Sequence, residues 1–150
     1  MAFDLKDIDL KADSERGSWM RLKDPRTGKP LGDDNAPPGL HILGPHAGAV
    51  QQASEQVQKD REEREAARTT YKADGTLDKR GTSTREELLE DDVKVYVAAT
   101  TDWRNLAWNG TDKFSPETVG DMYRNREWAG KQVRMWMLSH ENFMSGRDKD

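Results

Sequence analysis

The sequence predicts an α+β fold, a small N-terminal antiparallel β-sheet over about residues 18–44 packed on three or four α-helices. Three observations predict it. Apolar and polar side chains alternate around Met20 and Leu22, the period of a half-buried strand. Turn residues separate that run from two further short ones. From Ser83 onward, apolar residues recur at helical spacing. A length of 150 residues fits one domain.

Residues 1–17 read as a flexible arm, in which Phe3, Leu5, Ile8 and Leu10 can dock on a surface while the charges between them permit disorder. In residues 18–44, Met20 and Leu22 share one strand face, and Trp19, Arg21 and Lys23 share the other. Asp24-Pro25-Arg26-Thr27-Gly28 supplies turn chemistry. Lys29-Pro30-Leu31 is then a short return strand, with Pro30 implying an edge, and Leu40 to Leu43 is a third strand. Residues 45–82 read as a polar helix to about Lys72 and a linker, the helix carrying a sparse line of Val50, Ala53, Val57, Ala67 and Tyr71 interrupted by Arg61 and Arg64. It is expected to pack on one side only, or to be mobile until a partner orders it.

Residues 83–145 are the expected helical core. Ser83 with Glu86, or Thr84 with Glu87, fits a capping box. Leu89, Val93, Tyr96, Thr100 and Trp103 then form one helical stripe, ended by Asn109-Gly110. Ser115, Pro116 and Glu117 mark a second helix start. A break near Asn125 precedes a last helix with Trp128, Val133, Trp136 and Met137, and the charged tail Arg147 to Asp150 is expected to be loose.

Only 33% of residues are hydrophobic and 35% are charged, so the core is expected to be modest and open to completion by a partner or a homo-oligomer. The 24 basic residues are interleaved with 28 acidic ones, which argues against nucleic acid as a ligand and against a one-sided acidic mimic of it. With no cysteine, disulfides, thiol catalysis and Cys-bound zinc are excluded. The N-terminus lacks a signal-peptide core, and no apolar run approaches the roughly 20 residues of a membrane span, so a cytoplasmic location is expected.

Chemistry is scarce. His41 and His46 with Asp33 or Asp34 form a conceivable metal set, but a strand His and a loop His is the simpler reading. Asp74-Gly75-Thr76 echoes an EF-hand loop, yet Gly81 falls where a bidentate Glu is required. Gly28-Lys29 lacks the rest of a phosphate loop. The carboxylate pairs Asp33/Asp34, Glu62/Glu63 and Asp91/Asp92 read as solvated charge rather than catalytic pairs. No enzyme or cofactor motif emerges.

The remaining feature is aromatic. Trp103, Trp108, Phe114, Trp128, Trp136 and Phe143 all lie in the last third, where they serve as core or as the aromatic and Met surface that partners prefer. The expected partner contacts are Trp108 beside its turn, Trp128 with Met135, and Trp19 and Phe143.

The order of these segments carries a resemblance. Leu5-Lys6-Asp7-Ile8-Asp9-Leu10 precedes Gly17-Ser18-Trp19-Met20-Arg21-Leu22 and Asp24-Pro25-Arg26-Thr27-Gly28; then come Trp103-Arg104-Asn105-Leu106, Phe114-Ser115-Pro116-Glu117-Thr118, a Trp128 helix and Asn142-Phe143. This is similar to the tail assembly chaperones of long-tailed bacteriophages, in which a W-x-x-L segment ends a helix, an F-S/T-P-E segment starts the next and Asn-Phe closes the last. The likeness is weakest from Gln51 to Arg80. It implies a non-enzymatic protein of the host bacterial cytoplasm that binds the tape measure protein, recruits tail tube subunits and is absent from the mature virion. The alternative is a structural virion protein of the tail or neck.

Overall fold

The computed structural model describes residues 2–144; the tail Arg147 to Asp150 lies outside them. The architecture is α+β, as the sequence predicts. Strands β1 (Ser18–Arg21), β2 (Gly39–Ile42) and β5 (Thr100–Arg104) form an antiparallel sheet in the order β1-β2-β5. Against it pack helices α2 (Gly48–Ala67), α3 (Arg85–Ala99), α4 (Pro116–Asn125) and α5 (Glu127–Leu138), and a short α1 (Leu10–Arg16) precedes β1. Strands β3 (Thr70–Tyr71) and β4 (Leu77–Lys79) form a separate exposed hairpin.

The helix starts follow local chemistry. Of the two possible capping boxes, the chain uses Thr84 and Glu87: the Thr84 hydroxyl accepts from Glu87 N–H, and the Glu87 carboxylate accepts from Thr84 N–H. Ser115 accepts from Thr118 N–H at 3.1 Å with Pro116 at the first helical position. Helix α4 ends at Asn125 and α5 begins at Glu127, the expected break.

Sheet and helices share one core. Met20, Leu40, Ile42 and Trp103 face it from the strands; Val93, Val119, Met122, Tyr123 and Val133 face it from the helices. Helix α3 is the hub, in contact with α2, α4, α5 and β5. On α5, a side chain at Gly130 would strike the Tyr96 ring at 2.6 Å. The glycine thus admits close helix packing that outweighs its usual helix penalty of about 0.5–1 kcal/mol.

Four expectations need correction. Thr100 to Trp103 do not continue the helix: α3 stops at Ala99, and β5 pairs Asp102 with His41 and Trp103 with Leu40. Without β5, central β2 would be an edge strand. The W-x-x-L segment of the resemblance accordingly ends a strand. The return strand Lys29 to Leu31 is reduced to a single bridge, Lys23 to Pro30, although the turn itself forms with Gly28 at φ 73°. The arm is helical from Leu10 and tied down: Ser14 is fully buried, Gly44 N–H donates to its carbonyl, and Arg16 donates to the Phe143 carbonyl at 2.7 Å.

The fourth is the reading of Asp91 as solvated charge; the polar helix itself packs on one side, onto α3, as one of its two expectations had it. Val50 and Val57 of α2 are buried, and Arg61 and Arg64 point inward onto Asp91 of α3 at 3.0 and 2.8 Å. Asp91 is 2% exposed, so it is not the solvated carboxylate that its sequence neighbourhood suggests. Burial alone would raise its pKa, but the hydrogen bonds from Arg64 and Arg61 outweigh burial and hold it below the ordinary value. Ser83 links the cluster to the linker, accepting from Arg64 and donating to Glu65.

Candidate functional site

The five contact candidates do not converge on one surface. Phe143 is fully buried and belongs to the core, because the turn after α5 folds it inward while Asn142 donates to the Trp136 carbonyl. Trp108 is half-buried: its indole N–H donates to Asp121 at 2.7 Å and the Arg126 guanidinium lies over its ring. That arrangement pins the 105–111 loop, in which Asn109 and Gly110 both take positive φ. Trp128 is half-buried against the core. Trp19 sits on the outer sheet face between His41 and Arg104, whose guanidinium carbon is 4.5 Å from the ring centroid. Met135 alone is fully surface-exposed, at 67%.

Met135 marks a groove. It runs between α5 and the free edge of β1, with a volume of about 450 Å³, within the range of about 300–1,000 Å³ common for binding pockets. Met20, Met135 and Trp136 form its apolar part, and Arg21, Lys23 and Lys131 stand along it. Among the described residues, no carboxylate lines it.

Its two walls are locked together. The Gln132 side chain brackets the Lys23 backbone, accepting from its N–H at 2.9 Å and donating to its carbonyl at 2.8 Å, as a paired strand would. The Trp136 indole N–H donates to the Ser18 hydroxyl at 2.9 Å. Leu22 N–H donates to the Pro38 carbonyl. The antiparallel alternation then turns Ser18 and Met20 toward β2 and the backbone groups of Trp19 and Arg21 toward the open edge. The groove therefore offers apolar side chains, positive charge and the outer strand edge at Trp19 and Arg21 together. Arg21 is partly neutralised by Asp34 at 2.8 Å, whereas Lys23 and Lys131 have no ion-pair partner among the described residues.

Met135 has a neighbour outside the groove. Leu138, one turn along α5, is 74% exposed, so the two form an apolar ridge at i,i+3 spacing. The helix side of this site was visible in the sequence through Met135. Lys131, Gln132 and Trp136 were within reach of the same spacing argument, but the β1 side depended on which strand lies at the sheet edge. Among the described residues, no group of three or more His, Asp or Glu side chains is placed to hold a metal ion, and no helix is long and apolar enough to cross a membrane.

Comparison of the chain with protein families, curated proteins and solved structures finds no match.

Proposed function

We propose that this protein is a non-enzymatic assembly chaperone that reversibly covers an apolar segment of a partner. In the setting the sequence resemblance implies, the partner is a phage tape measure protein, and tail tube subunits join the complex in the host cytoplasm. The observation that carries the reading is the exposed apolar ridge of Met135 and Leu138 on α5. Flexible Met side chains suit adaptable contact with apolar helices. In a chain with 35% charged residues, such a ridge is a costly surface unless a partner uses it.

The test is co-expression with the tape measure protein. The wild-type chain is expected to solubilise it and co-purify. Met135→Ser with Leu138→Ser is expected to weaken capture while leaving the unfolding midpoint unchanged, since both side chains are exposed. These positions are better probes than Trp108, whose removal would also free Asp121 and Arg126. A tape measure protein that stays insoluble, with this chain present at fixed copy number in purified particles, would instead establish a structural virion protein.

A further inference from the structure

We propose that the groove between β1 and α5 receives the N-terminal arm of a second copy of this chain, so that two protomers exchange arms. The arm displays Phe3, Leu5 and Ile8 at 74%, 73% and 56% exposure. Asp4, Asp7 and Asp9 are set among them, against the single Lys6. The groove is its complement: Met20, Met135 and Trp136 form its apolar part, and among the described residues Lys23 and Lys131 in its lining have no ion-pair partner and no carboxylate lines it. In a protein of net charge -4, a basic apolar groove is a local exception, and it selects an acidic apolar segment. The arm is such a segment.

The placement of the arm's root favours exchange. Helix α1 is fixed to the turn after α5 by Arg16 on the Phe143 carbonyl, and Asp13 lies 3.3 Å from His140. Asn142 of that same turn lines the groove. Each arm therefore starts beside its own groove but leaves its apolar side chains in solvent. A two-fold axis near α5 would carry each arm into the partner's groove and make the contact self-complementary. One short arm covers less than the roughly 800 Å² per partner of a stable interface; reciprocal exchange doubles the contact.

The full chain and a chain lacking residues 2–8 are compared by sedimentation velocity over a concentration series, at low salt and at about 0.5 M salt. A fluorescein-labelled peptide of residues 2–9 is also titrated into the shortened chain. The expected result is a salt-sensitive dimer for the full chain and a monomer without the arm. The peptide should bind the shortened chain, and Lys23→Glu with Lys131→Glu should weaken it at least about tenfold. Both lysines are exposed, so the variant keeps the fold. A full chain that is monomeric at every concentration overturns the exchange, as does a dimer that persists without the arm or a peptide that does not bind. The tape measure protein takes no part in this experiment, so its outcome is separate from that of the chaperone reading.

Discussion

Replacing Asp91 by Asn tests whether the α2–α3 interface is held by its ionic cluster. The Asp91 carboxylate accepts from Arg61 at 3.0 Å and from Arg64 at 2.8 Å, and its side chain is 2% exposed. Charge-assisted bonds of this kind contribute about 1.5–3 kcal/mol each. The amide keeps one oxygen as acceptor but loses the charge, and its NH₂ group then faces two guanidinium groups. Breaking a fully buried pair costs about 3–5 kcal/mol. Here the arginines keep 30% and 19% exposure and recover some water, so Asp91→Asn should cost about 2–4 kcal/mol. With a urea slope of about 2 kcal/mol/M, the middle of the usual range, the midpoint should fall by about 1–2 M. The five Trp residues give the fluorescence signal. The neighbouring Asp92 is only half-buried, and Asp92→Asn should stay within about 0.5 kcal/mol. Equal midpoints for Asp91→Asn and wild type, or equal losses for the two variants, would refute the assignment.

Three further outcomes follow from particular contacts. Arg68 grips the Glu87 carboxylate at 2.6 and 2.8 Å and, with Thr84 N–H, holds its pKa down to about 2 from 4.5. Because the folded-state pKa is the lower one, this stabilisation is full above about pH 5 and drains away as pH falls toward 2; in a pH series of urea melts, Glu87→Gln should flatten that acid limb. Ser115→Ala removes the cap of α4 and should lower stability by about 0.5–2 kcal/mol in the same melts, with Ser115→Gly milder. Gly81→Ala would drive a Cβ into the Glu65 carbonyl oxygen and into the Cβ and carbonyl carbon of Arg68, the residue that caps α2, so amide exchange in the 68–81 hairpin should speed up even where the global midpoint moves less.

What was legible in the sequence had local causes. Ser115-Pro116-Glu117 and Thr84 with Glu87 start helices through contacts three residues apart, and such signals can be read from a short window. Strand β5 was hidden because Thr100 and Trp103 continue the spacing of Leu89, Val93 and Tyr96. Its true partners, Leu40 and His41, are some 60 residues upstream. The β-branched pair Thr100-Thr101 was the available strand signal. Burial of Asp91 was hidden for the same reason, since Arg61 and Arg64 lie 30 and 27 residues away in sequence.

The distribution of apolar residues makes the strongest physical case for a partner. The chain is poor in them, yet α2 meets α3 partly through Asp91 and two arginines, while Met135, Leu138, Phe3, Leu5 and Ile8 remain in solvent. Folding alone would favour the reverse placement, because apolar residues of similar volume can replace a buried ionic cluster at no loss of stability. Exposed apolar side chains on α5 and the arm add nothing to the core and lower solubility. On the two proposals above, that placement serves contacts made outside the monomer, on the surfaces that the groove and the arm provide.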